Sequence, residues 1–90
     1  MERITQRNLE SVVKIINRTT GNPLTPYSKA TEGRGANVGN YHLDYAYGGV
    51  KLVQMCNESG GIRDTLRCGY TTKRRLYDLM NAYLEGLERN

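Results

Sequence analysis

The sequence predicts one α+β domain of order α-β-β-β-α, a three-stranded antiparallel sheet with both helices on one face. Two observations lead there. Two segments, 5–20 and 72–88, repeat apolar residues at helical spacing, and the stretch 41–68 holds three strand-like runs joined by short turns. Turns that short join antiparallel neighbours, since parallel strands need a long crossover. Two helices that each carry one apolar stripe are most simply buried against the same sheet face.

The first helix is read over 5–20. Leu9, Val12, Val13 and Ile16 fall at i, i+3, i+4 and i+7, which gathers them on one face. Thr5 suits the N-cap, and Ile4 and Leu9 have the spacing of a hydrophobic staple. Glu10 and Lys14 form an i,i+4 pair on the wet side. Gly21 suits the C′ position, and Asn22-Pro23 stops the helix. Arg3, Arg7, Lys14 and Arg18 read as a solvated face.

Residues 21–40 contain four glycines and two prolines and show no apolar period. They read as a flexible connection, with a mobile arm bearing Lys29 and Arg34 as the functional alternative. Gly33, Gly35 and Gly39 do not make a nucleotide-binding loop, because no Gly-Lys-Ser/Thr follows and no strand precedes.

The first strand alternates, with Tyr41, Leu43, Tyr45 and Tyr47 on one side and His42, Asp44 and Ala46 on the other. Gly48-Gly49 reads as its hairpin turn. The run 50–56 is apolar on both faces, as a central strand should be. A turn at 57–61 leads to a third strand over 62–68, with Arg63, Thr65 and Arg67 on one face. The tyrosines suit the core beneath the helices, although aromatic sheet faces also stack bases. The sheet face away from the helices is expected to stay open to solvent or a partner.

The closing helix is read over 72–88. Leu76, Leu79, Met80, Tyr83, Leu84 and Leu87 form its core stripe, with Thr71 or Thr72 as cap. It opens on Lys73, Arg74 and Arg75. A helix N-terminus carries about +0.5 charge, so three cations there work against the helix dipole unless an anion sits in front of them. Thr72, Lys73, Arg74 and Arg75 are therefore the candidate anion-binding residues, with Arg63, Arg67, Lys29 and Arg34 as candidate extensions of the patch. The competing reading is a charged helix start that faces water.

Composition agrees with an anionic partner. The chain of 90 residues carries a net charge of +4 and a pI near 9.3. That balance favours polyanions and excludes a mimic of DNA. No catalytic residues are expected: His42 is the one histidine, and nothing beside it completes a triad. Cys56 and Cys68 lack metal-ligand spacing, sit out of register for a disulfide, and read as buried small residues. Asp44 and Asp64 are placed to approach each other across the sheet but read as surface acids rather than a metal site. No cofactor is expected. Absence of a signal-like or membrane-length apolar run suggests a cytoplasmic protein with no membrane contact.

Two resemblances follow from these residues. The Tyr-Ala-Tyr-Gly-Gly run at 45–49 and the Thr-Lys-Arg-Arg-Leu-Tyr helix start at 72–77 resemble small accessory proteins of tailed phages and prophages. That likeness implies a phage protein in the host cytoplasm, acting on host or anti-phage defence machinery. The α-β-β-β-α order is similar to that of a double-stranded RNA-binding domain, whose last helix also opens on basic residues that grip phosphates. Three partners are thus expected: nucleic acid, a host protein or nucleoprotein, or a second copy of the chain paired through edge strands.

Overall fold

The computed structural model describes residues 3–27 and 36–89. The order is α1 (Gln6–Thr20), β1 (Tyr41–Ala46), β2 (Gly49–Met55), β3 (Ile62–Asp64) and α2 (Lys73–Glu88). The sheet runs β1-β2-β3, antiparallel throughout. Both helices lie on one of its faces: Leu9, Val12, Val13 and Ile16 of α1 and Leu76, Met80 and Leu84 of α2 join Tyr41, Val50 and Leu52 in one buried cluster. Truncating a wholly buried member such as Leu52 or Met80 to alanine costs about 2–5 kcal/mol.

The helix ends follow from local chemistry. Thr5 caps α1 in a reciprocal pair, its hydroxyl accepting from the Asn8 amide while Asn8 Oδ1 accepts from the Thr5 amide. Gly21 closes α1 with φ 74°, a left-handed turn that L side chains resist. Glu10 is engaged by Gln6, whose Nε2 donates to it over 3.0 Å, rather than by Lys14. Thr72 is the residue that caps α2.

The sheet departs from the sequence reading in four places. The β1–β2 turn is centred on Tyr47-Gly48, not Gly48-Gly49: Ala46 pairs with Gly49, and the two turn residues have φ 53° and 74°. Both values are positive, as a type I′ turn requires. Gly49 serves another purpose, since a Cβ there would stand 3.1 Å from the Thr71 backbone nitrogen and oxygen.

The third strand ends at Asp64 instead of 68. Asp64 accepts from the Arg67 amide (2.9 Å) and the Gly69 amide (2.8 Å), which turns the chain out of the ladder. The chain then returns to the same edge of β2, where Thr71 and Val50 exchange both backbone hydrogen bonds.

The tyrosine face divides: Tyr41 is buried, whereas Tyr45 and Tyr47 are exposed. The far side of the sheet is not open along its length, because Val53 and Met55, which alternate with Val50 and Leu52, are 0% and 2% exposed. Cys56 is exposed and Cys68 half-buried, and both are free thiols, which corrects the reading of both as buried. Cys56 lies opposite Gly61, to whose carbonyl its amide donates.

The described parts of the 21–40 connection are tied down. Tyr27 bridges Ala36, Asn40 Nδ2 donates to the Pro23 carbonyl, the Gly39 amide donates to the Met55 carbonyl, and the Met55 amide donates to the Asn40 carbonyl. Buried Asn17 acts as a surrogate strand. Its Nδ2 donates to the Tyr41 carbonyl (2.9 Å) and its Oδ1 accepts from the Tyr41 amide (2.8 Å).

Candidate anion-binding site at the start of the second helix

α2 begins where the chain leaves the edge of β2. The Val50–Thr71 pairing fixes the backbone just before Thr72, so the first helical turn is held against the β1–β2 hairpin end of the sheet. Thr72 Oγ1 accepts from the Arg75 amide (3.1 Å), and the Thr72 carbonyl accepts from the Leu76 amide. That leaves the Lys73 and Arg74 amides without a partner among the described residues. Lys73, Arg74 and Arg75 all expose their side chains, and the first turn contains no acid. Of these three, Arg74 alone has a counter-charge among the described residues, Asp78 at 3.7 Å, with both side chains more than half exposed. Such a pair is weak, about 0.3–0.5 kcal/mol. Unpaired N–H groups, the helix dipole and three exposed cations therefore point the same way, toward negative charge.

The other candidate residues fall elsewhere. Arg63 pairs in register with Gln54, and its Nε and Nη2 both donate to Gln54 Oε1 (3.2 and 2.7 Å). Thr71 instead pairs with Val50. Four residues of β2 separate these rungs, about 13 Å at ~3.3 Å per residue. Arg63 thus sits at the opposite end of the sheet from Lys73. Arg67 is exposed on the bend after β3, with φ 55°. Lys29 and Arg34 lie outside the described residues.

The structure brings other groups to the hairpin end. A hollow of about 380 Å³ joins Lys73 and Thr71 to Tyr45, Gly48 and Gly49. On the other side of the hairpin, Tyr47 and Tyr70 meet edge to face with centroids 5.5 Å apart. The Lys51 ammonium lies 4.5 Å from the centre of the Tyr70 ring, and the Tyr70 hydroxyl donates to the Asp44 carboxylate. That bond, with the charge of Asp44 behind it, pushes the Tyr70 phenol up to about 12. The sequence signal for Tyr70 and Lys51 was faint, because neither belongs to a charge run or an alternating pattern.

His42 is half-buried in β1. Its Nδ1 faces Asn40 Oδ1 at 3.0 Å, and Asn40 is oriented by its own bond to Pro23, so Nδ1 carries the proton. Burial lowers its pKa, against the opposing pull of Asp44. Among the described residues no group of three or more His, Cys, Asp and Glu is placed to hold a metal ion. None of their helices is long and apolar enough to cross a membrane. No family model matches the chain, and no curated protein or solved structure gives a significant match to it.

Proposed function

We propose that this protein is a non-catalytic binder of an anionic macromolecule, a nucleic acid or a nucleoprotein of the host, and that Thr72, Lys73, Arg74 and Arg75 make the primary contact. One observation carries the reading: three exposed cations occupy the first turn of α2, where they oppose the helix dipole, beside two amides unpartnered among the described residues. Thr72 positions the turn, and the side chains and amides take phosphate oxygens. Contacts of this kind fix a backbone without reading its sequence. Anisotropy titrations with labelled single- and double-stranded DNA and RNA test it. Binding at low salt should weaken steeply as salt rises, with a log–log slope of about −2 to −3 for three neutralised phosphates. Absence of binding to every probe at low salt rejects the reading.

A second reading is a protein contact through β1, in keeping with a phage factor directed at host or defence machinery. Asn17 occupies the outward backbone groups of Tyr41, so by alternation those of Leu43 and Tyr45 also face outward, unpaired among the described residues. They border a groove of about 430 Å³ between α1 and the sheet edge. A two-fold pairing of β1 with its own copy, centred on Asp44, would set two carboxylates opposite each other, which disfavours the homodimer. Purification from nuclease-treated host lysate with wild type and Leu43→Pro discriminates. Proline removes an outward N–H and spares the bonds to β2, so a partner lost only with the variant supports the edge contact. An identical partner set refutes it.

A further inference from the structure

We infer that the hairpin tip recognises unpaired bases, with Tyr47 as a stacking platform for a nucleobase of a single-stranded nucleic acid and Lys73 and Lys51 holding the flanking phosphates. The inference rests on the anion-binding reading above and narrows it from polyanions in general to single strands.

Three observations support it. Tyr47 is 95% exposed at the turn tip, an unusual place for a large ring in a chain with no Trp or Phe. It also holds φ 53°, at a turn position that prefers Asn, Asp or Gly, so its presence costs local stability. Tyr70 meets its ring edge to face, and Tyr70 is itself fixed by Asp44 and covered by Lys51. That contact gives the ring an orientation and, at 95% exposure, leaves its face open.

The charges lie on both sides of the hairpin. Lys73 reaches the tip through the hollow shared with Tyr45, Gly48 and Gly49, while Lys51 stands on the Tyr70 side. A strand laid over the tip meets a cation, exposed Tyr45 and Tyr47, and a second cation in turn. Stacking needs a base whose face is free, which a duplex withholds along its length. Alternating aromatic and cationic contacts of this kind bind single strands with little sequence preference.

The test uses an oligothymidylate carrying one fluorescent aminopurine and a duplex of equal length. Wild type should quench the aminopurine and prefer the single strand. Tyr47→Asn gives the turn an Asn-Gly pair, which it favours, so the fold is held or strengthened. That variant should still lose roughly tenfold or more in single-strand affinity, together with the quench. Tyr47→Phe should keep both. If Tyr47→Asn binds and quenches like wild type while Lys73→Glu weakens both probes, stacking is refuted and anion binding stands. If neither probe binds wild type at low salt, both readings fall.

Discussion

Reversing the three charges at the start of α2, in the variant Lys73→Glu/Arg74→Glu/Arg75→Glu, should make the protein more stable and a poorer binder. Lys73, Arg74 and Arg75 occupy the first three helical positions behind the Thr72 cap. Moving each from cation to anion there gains roughly 0.3–1 kcal/mol from the helix dipole at an exposed site. Glu at position 75 also completes a capping box with Thr72, reaching back to the Thr72 amide. Against this, the 3.7 Å Arg74–Asp78 pair becomes a repulsion, a loss of about 0.5–1 kcal/mol over the two steps. The net is a gain of roughly 0.5–2 kcal/mol, or an upward shift of about 2–16 °C in Tm for a domain of this size. Thermal unfolding followed by circular dichroism, at low and high salt, reads it. The shift should shrink as salt screens the dipole term. Nucleic-acid affinity at low salt should fall, and the salt slope should flatten by about 2–3. A variant that is less stable than wild type at low salt would refute the electrostatic reasoning. Unchanged affinity in a more stable variant would refute the functional assignment.

Three further outcomes are expected. Asn17→Ala strands the buried amide and carbonyl of Tyr41, and urea denaturation should show a loss of about 2–4 kcal/mol. Gly49→Ala brings a methyl within 3.1 Å of the Thr71 backbone, which should cost about 1–3 kcal/mol by the same assay and loosen the first turn of α2. Tyr41, held up to about 12 by burial and by its 2.7 Å bond to Tyr83, and Tyr70, also at about 12, should give a late phase above the ordinary phenol range in an alkaline absorbance titration. Since both folded values exceed the unfolded value near 10, the stability they contribute is complete below pH 10 and is lost as pH rises from 10 through 12. Tyr70→Phe should remove one late-titrating group and reduce that loss.

The two helices and the strand order were legible because each rests on a local pattern. The stripe from Leu76 to Leu87 and the caps at Thr5, Gly21 and Thr72 need only the chain's own spacing. Features that depend on distant backbone were not legible. Gly48-Gly49 resembles a turn, yet Gly49 is glycine because Thr71 packs against it, which no window around the hairpin contains. The end of β3 is set by one carboxylate collecting two amides further on. The candidate site divides the same way. The run Lys73 to Arg75 was visible as charge, while the approach of Lys51, Tyr47 and Tyr70 depends on the return of the chain to Val50. Arg63 belongs to the sheet end beside Gln54, because β3 pairs with β2 around that residue.

The departure of the chain at Asp64 leaves the two borders of the sheet unequal. β3 offers three residues before its carboxylate bends it away, whereas β1 presents Leu43 and Tyr45 with their outward groups unpaired among the described residues. Among the described residues a visiting strand therefore finds its longer berth on the β1 side, and once docked it carries its own outward row of donors and acceptors as the new border of the sheet.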